Sequence, residues 1–328
     1  MKVGMNVGRY AYFRGGFVPI EEANVSIMTH ALNYGTGCFE GIRGYWNEDE
    51  RQMYVFRMPE HYHRMSDSGR ILMMDLPMSV AELGETTTEL LRRNKHTEDV
   101  YIRPLLFKSS PLIGVRLHNL DQEFSLFTAP FGKYVDVDGP VRIRTSSWRR
   151  VEDTSAPARA KITGTYINAA LAKTEAVLDG YAEALVLTES GHVSEGSAEN
   201  LFAVIGGKLV TPSVNDNILA GITRATVIEL ASNLLGIETE GRAVDRTELY
   251  IADEVFLCGT GAQVVPVNEI DHRCIGDGAT GPITARLEEI YNRVVRGYEP
   301  DYRHWLTPVY TDSHPAPVAV ESITANQQ

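Results

Sequence analysis

Ala158-Arg159-Ala160-Lys161-Ile162-Thr163-Gly164-Thr165-Tyr166 decides how this chain is read, with Ser194-Glu195-Gly196-Ser197-Ala198-Glu199-Asn200-Leu201-Phe202 one helix and one strand later. The approach to it runs Ser146-Ser147-Trp148-Arg149-Arg150. The chain has seven lysines, at positions 2, 95, 108, 133, 161, 173 and 208, and only Lys161 follows an Ala/Pro/Arg run and precedes a Gly-Thr-Tyr turn. A lone lysine is far more often a solvated surface charge, and Ser-Glu-Gly is ordinary turn composition. The weight lies in the pair: a lysine among small residues and, 34 positions later (195 − 161), a carboxylate in a Gly/Ser turn.

Such a pair suits pyridoxal 5'-phosphate (PLP). The Lys161 amine would form a Schiff base with the cofactor aldehyde. Glu195 would pair with the pyridinium nitrogen, favouring its protonated form and keeping the ring an electron sink. Downstream, Leu219-Ala220-Gly221-Ile222-Thr223-Arg224 starts a helix whose Val227, Leu230, Ala231 and Leu234 form an apolar stripe ended by Gly236. The free N–H groups and positive dipole end of such a start suit a phosphate, and this is compatible with plain N-capping by Thr223. Strand Glu254 to Cys258 runs into Gly259-Thr260-Gly261-Ala262, a tight turn whose amides and hydroxyl can hold an anion.

This ordered set closely resembles the signature of the fold-type-IV, or class-IV, PLP aminotransferases, and among them it is most similar to the branched-chain amino acid aminotransferases. The resemblance runs from about Tyr10 to about Trp305, with its segments in the family's order. It implies an α/β (α+β) architecture: a smaller N-terminal α/β domain, a larger C-terminal domain, and PLP in the cleft between them. The expected boundaries are 1–129, an interdomain loop at 130–139, 140–306, and a poorly ordered tail at 307–328.

Carried over by position, the resemblance makes Lys161 the catalytic residue. Arg64, Lys161, Tyr166, Glu195, Leu219, Gly221, Ile222, Thr223 and Thr260 would bind the cofactor. Tyr34, Phe39, Gly41, Arg43, Tyr101, Arg103, Phe131, Tyr134, Thr260, Gly261 and Ala262 would surround the substrate, with Tyr101 and Arg103 helping to hold its carboxylate. The implied reaction is ping-pong transamination of leucine, isoleucine or valine with 2-oxoglutarate, giving branched-chain 2-oxo acids and L-glutamate. A homodimer or higher homo-oligomer is implied, with loop Ser109 to Asn119 reaching into the neighbouring subunit's site.

The chain departs from the family pattern in three places. Thr165 stands where members often have Asn, Phe131 replaces a common tryptophan, and the Ser109 to Asn119 loop is not the usual Gly-rich form. These positions bear on substrate range. D-amino acid aminotransferase, (R)-selective amine transaminase, aminodeoxychorismate lyase and a non-catalytic PLP-binding protein are the alternatives; Phe39-Glu40-Gly41-Ile42-Arg43 and Tyr101-Ile102-Arg103-Pro104 favour the branched-chain group.

A length of 328 residues suggests about two domains. Hydrophobic content of 43% and charged content of 23% are ordinary for a globular protein. A net charge of −12 without a basic cluster argues against nucleic acid as a partner. Cys38, Cys258 and Cys274 are odd in number and lack CxxC spacing, which fits a reducing cytoplasm. No apolar run approaches a membrane span. His61 and His63, two apart on a helix opened by Pro59, point away from each other, so no metal is expected there.

Of the local elements, Arg14-Gly15-Gly16 predicts a hairpin between residues 11 and 20. Helices are expected from about Val80 to Lys95, Tyr166 to Asp179 and Pro282 to Arg296, and Ile167, Leu171, Thr174 and Leu178 share one face of the second. Val100 to Phe107 reads as a buried strand in which Pro104 suggests an edge or bulge. Strands are also expected at residues 53–56, 124–129, 141–145 and 184–188, with a further hairpin around Gly206-Gly207.

Overall fold

A computed structural model describes residues 7–132 and 139–310. Strands β1 (Tyr10–Phe13) and β2 (Gly16–Pro19) form the expected hairpin. Its turn residues Arg14 and Gly15 both have positive φ, 50° and 83°, which matches the strand twist of a two-residue turn. The short helix α1 (His30–Tyr34) leads to β3 (Gly37–Phe39), β4 (Ile42–Asn47) and β5 (Gln52–Phe56). Next come α2 (Met58–Ile71), with Pro59 in its first turn, and α3 (Val80–Asn94), opened by a Ser79–Glu82 capping box. Strands β6 (Val100–Lys108) and β7 (Gln122–Pro130) pair along their full length.

The second half opens with β8 (Val141–Arg149), α4 (Tyr166–Leu178), β9 (Glu183–Leu187), β10 (Val193–Gly196), β11 (Asn200–Ile205) and β12 (Lys208–Thr211). It continues with α5 (Ile222–Leu235), β13 (Thr239–Gly241), α6 (Arg246–Leu249), β14 (Glu254–Gly259), β15 (Gln263–Ile270) and β16 (Arg273–Cys274). Helix α7 (Pro282–Val295) and strand β17 (Leu306–Pro308) follow. An eight-stranded sheet runs β17-β5-β4-β6-β7-β1-β2 with β3 on β6. A nine-stranded sheet runs β10-β9-β8-β15-β14-β11-β12-β13 with β16 on β15. One apolar core packs α2 and α3 on the first sheet. Another joins Tyr45 and Phe56 of the first sheet to Phe202, Leu230 and Tyr291 of the second half.

Three expectations change. Pro104 lies in an interior strand: β6 pairs with β7 on one side and with β3 and then β4 on the other. Pro104 falls where β3 stops and β4 has not begun, so its missing N–H breaks no ladder, while its carbonyl accepts the Glu40 N–H at 3.0 Å. The face of α4 bearing Ile167, Leu171, Thr174 and Leu178 is exposed; Ala169, Ala172 and Ala176 are the buried ones. The small side chains let the helix backbone approach Ala184 and Val186 of β9. Residues 307–310 belong to the first sheet, since β17 pairs with β5 and Val309 is buried with its N–H on the Met53 carbonyl. The rest of the expected tail, 311–328, and positions 133–138 of the expected interdomain loop fall outside the described residues.

Candidate active site

Lys161 is placed by the first sheet although it follows a strand of the second. Its carbonyl accepts the Phe39 N–H at 3.0 Å, and its N–H donates to the Ser68 hydroxyl of α2 at 3.1 Å. The side chain reaches into the cleft, where Nζ donates to the Tyr166 hydroxyl at 2.6 Å and lies 5.0 Å from the Phe39 ring centroid. Burial, then the charge of Arg64, pushes the amine down from 10.5 to about 8. Burial, then Glu195, pushes the Tyr166 hydroxyl up, so it stays protonated.

One cavity beside Lys161 contains all nine expected cofactor residues: Arg64, Lys161, Tyr166, Glu195, Leu219, Gly221, Ile222, Thr223 and Thr260. At one end Arg64 grips Glu40, with Nε to Oε1 and Nη2 to Oε2 both at 2.7 Å. Its Nη1 donates to the Ala220 carbonyl at 3.0 Å. His61 Nδ1 donates to the same carboxylate at 2.7 Å. Burial works against the charge of Glu40, but Arg64 and His61 outweigh it and hold the carboxyl well below its usual range. Burial pushes His61 down against the pull of Glu40. His63 is exposed, so the two histidines do point apart.

Beside Arg64, α5 begins at Gly221 with no side chain capping it, leaving its opening N–H groups to an external acceptor. Thr223 is therefore not a cap; its hydroxyl interacts with Tyr291. Only glycine fits at 221, where a Cβ would come within 2.0 Å of Asn200 Oδ1. Glu195, which lines the same cavity, is only 3% exposed. It pairs through Oε1 with Arg150 Nη2 at 2.6 Å, and its Oε2 accepts Asn200 Nδ2 at 3.0 Å and the Leu219 N–H at 3.2 Å. Burial pushes its proton affinity up, and Arg150 is the strongest influence in the other direction.

A second cavity of about 440 Å³ adjoins the first and shares Lys161, Tyr166 and Thr260 with it. Phe39, Gly41, Tyr101, Arg103, Phe131, Gly261 and Ala262 line it, as expected of substrate residues. Arg103 Nη2 donates to the Tyr101 hydroxyl at 2.9 Å, and the guanidinium lies 4.4 Å from the Phe39 ring centroid. A Cβ at Gly41 would stand 2.1 Å from the Tyr101 hydroxyl, so this glycine is what lets the phenol approach.

Two expected substrate residues lie elsewhere. Arg43, 2% exposed, is a strut behind the turn, donating to the carbonyls of Gly261 (3.2 Å), Phe131 (2.9 Å) and Gly132 (3.0 Å). Arg43 shares a sheet face with its cross-strand partner Tyr101, but its guanidinium passes the Phe131 ring at 5.3 Å to reach these carbonyls instead of ending in the cavity. Tyr34 is held by the 109–119 loop: its hydroxyl accepts the Gly114 N–H at 3.2 Å, and His30 Nε2 bonds the Gly114 carbonyl at 2.9 Å. Tyr134 lies outside the described residues.

Several wall residues went unread in the sequence: Phe127, Ala129, Ala198 and Glu199. The first two were findable, because pairing β6 with β7 sets Ala129 opposite Tyr101 and Phe127 opposite Arg103. Glu199 is pushed up to about 8 by burial and by Glu183, with Lys173 opposing. Among the described residues no group of three or more His, Cys, Asp or Glu side chains is arranged to hold a metal. None of their helices is long and apolar enough to cross a membrane.

A half-buried lysine between an anion cradle and a carboxylate, with a separate aromatic pocket on its other side, defines a lysine-anchored cofactor enzyme. The chain belongs to the amino-transferase class IV family, whose profile matches residues 37–270. A probable branched-chain-amino-acid aminotransferase of Aquifex aeolicus is 50% identical over 301 residues, 92% of this chain and 97% of that protein. The branched-chain aminotransferase of Thermoproteus uzoniensis, crystallised with norvaline, superposes with a TM-score of 0.88 at 44% identity, covering 92% of this chain and 99% of the other. That of Thermobaculum terrenum in its PLP form gives 0.89 at 40% identity, covering 93% and 99%.

Proposed function

We propose that this protein is a PLP-dependent aminotransferase that transfers the amino group of leucine, isoleucine or valine to 2-oxoglutarate. The observation that carries the reading is Lys161 itself, held between two cavities of different chemistry, with an amine lowered to about 8. The residues present fit PLP. Arg64 and the uncapped start of α5 suit its phosphate, Tyr166 suits its phenolic oxygen, and Glu195 suits its ring nitrogen. When bound, PLP supplies the electron sink that makes a substrate Cα proton removable.

The chain's own part is positioning and proton movement. Lys161 Nζ is placed where, as general base, it would take the proton from the substrate Cα and, as general acid, hold it for return. Tyr101, Arg103 and the Thr260-Gly261-Ala262 turn hold the substrate carboxylate, and Phe39, Phe127 and Phe131 give a branched side chain a dry wall.

The functional unit we infer is a homodimer in which the neighbouring subunit completes each site. Loop residues Ile113 and Val115 are 84% and 88% exposed, and Ile27, Met28 and Leu32 around α1 are exposed beside them. Such a patch is unusual on a monomer. Tyr34 is tied to this loop, so it would act on the partner's pocket. The compartment we infer is the cytoplasm, on the three unpaired cysteines.

Half-reaction spectra with L-leucine, D-alanine and a chiral aryl amine test the substrate reading. Bleaching of the cofactor band by L-leucine in clear preference to the others is expected. Preference for the (R)-amine or D-alanine would move the protein to a sister activity of the same fold.

A further inference from the structure

A carboxyl beside a pyridine nitrogen does not by itself decide which of the two holds the proton. Glu195 is deeply buried, and burial favours its neutral form. A neutral Glu195 would leave the ring nitrogen uncharged and weaken the electron sink. Its bonding pattern settles where the remaining valence lies. A carboxylate oxygen accepts about two hydrogen bonds. Oε2 already accepts Asn200 Nδ2 and the Leu219 N–H, while Oε1 accepts only Arg150 Nη2, at 2.6 Å. One acceptor position is left, on the oxygen that touches the arginine.

Of the groups in direct contact with Glu195, Asn200 and Leu219 are neutral donors, and only Arg150 carries charge. The other cations acting on it, Lys161 and Arg64, do so without a hydrogen bond to it. Arg150 is itself held, its Nε donating to the Asn217 carbonyl at 3.2 Å and the Asn217 amide donating to Glu152 at 2.9 Å. Only glycine and a few polar residues adopt the left-handed conformation readily, and Asn217 is in it (φ 58°), which aims its carbonyl at the guanidinium.

We propose that Arg150 is a positioning residue for the reaction, holding Glu195 ionised so that the proton they share with the cofactor rests on the ring nitrogen. The inference rests on the PLP reading above. Arg150 need not touch cofactor or substrate; it acts through Glu195, and an arginine does so at any accessible pH because it never deprotonates.

The test is the ¹⁵N resonance of ring-labelled PLP in the holoenzyme, compared among wild type, Arg150→Met, Arg150→Lys and Glu195→Gln. Wild type should show the protonated-ring position. Arg150→Met should move the signal toward neutral pyridine and slow the L-leucine half-reaction about 10-fold, the effect of one unit of proton affinity. Arg150→Lys should restore most of both. An Arg150→Met signal at the wild-type position, or one that Lys does not restore, overturns the proposal. If Arg150→Met does not fold, Arg150→Gln replaces it with the same expected shift. Glu195→Gln separates the two levels of the inference: if it leaves the resonance unmoved, Glu195 is not the ring partner and the PLP placement itself fails.

Discussion

On the cofactor side of Lys161, Arg64 grips Glu40 through two bonds of 2.7 Å and Glu195 is held by Arg150, Asn200 and the Leu219 amide. On the substrate side, among the described residues, Arg103 makes one hydrogen bond, to Tyr101, and its Nε is buried without a partner. A buried donor left open costs about 1–3 kcal/mol. The charged side chains of the cofactor wall, Arg64 and Glu195, are paired inside the protein, leaving the α5 N–H groups and one Glu195 acceptor position to the ligand, whereas on the substrate wall a buried cation itself waits for its partner. That difference suits a cofactor that stays and substrates that alternate. It also predicts where substitutions act: on the first wall they should change the chemistry for every substrate, and on the second they should discriminate among substrates.

The largest effect tests the point where the walls meet. Lys161→Ala removes the cofactor's anchor and the proton carrier together, so single-turnover rates with L-leucine should fall on the order of 10⁴-fold or more, with loss of the visible cofactor band. Retained colour through another lysine, with activity, would displace the centre of the site. Next comes the cofactor wall. Glu195→Gln should keep the cofactor bound while slowing both L-leucine and an (R)-amine on the order of 10²-fold. Unchanged rates would leave Glu195 a structural ion pair with Arg150. Glu199 is a poor substitute, because its carboxyl is engaged with Glu183 and the Ala198 N–H.

A smaller and more selective effect is expected from the substrate wall. Arg103→Leu leaves the Tyr101 hydroxyl without its donor and removes a cation from the carboxylate site. The kcat/KM for L-leucine should drop about 10- to 100-fold, from the 1–3 kcal/mol of an unpaired group, while a simple amine loses much less. Equal losses for both would make Arg103 a packing residue and erase the contrast between the walls.

Much of the cofactor wall was legible in the sequence because its residues sit in short local patterns. Lys161 precedes a turn into α4, Glu195 lies in strand β10 beside Gly196 and not in the turn its Gly/Ser neighbours suggest, and Gly221 opens α5. Their supports were not legible. Arg150 is written 45 positions (195 − 150) before the carboxylate it pairs with, and Glu40 is 24 positions (64 − 40) before its arginine. Nothing local links either couple. The apolar stripe on α4 gave the helix correctly and the buried face wrongly, because periodicity finds a face and not what covers it. Tyr34 and Arg43 carried the right chemistry for a pocket, but the loop at Gly114 and the carbonyls of residues 131, 132 and 261 claim them first.

The smallest expected effect concerns how Lys161 meets the cofactor. Capture needs the neutral amine, and in the cofactor-free protein burial and the neighbouring charge of Arg64 both disfavour the ammonium form, bringing the amine to about 8. The direction is downward, so the reactive fraction rises with pH and is about half complete at pH 8. Between pH 8 and 10 the rate of PLP capture should then rise only about twofold, whereas a lysine left near its ordinary value of about 10.4 would gain tens-fold over the same range. Stopped-flow measurement of the visible band, with free PLP titrated separately, gives the profile. Arg64→Gln should move its midpoint upward, since the strongest of the charges that lower it is removed. A rate still climbing steeply at pH 10 in the unaltered protein would mean the amine is solvated before the cofactor arrives, and the charges of the cofactor wall would then not be set before the ligand binds.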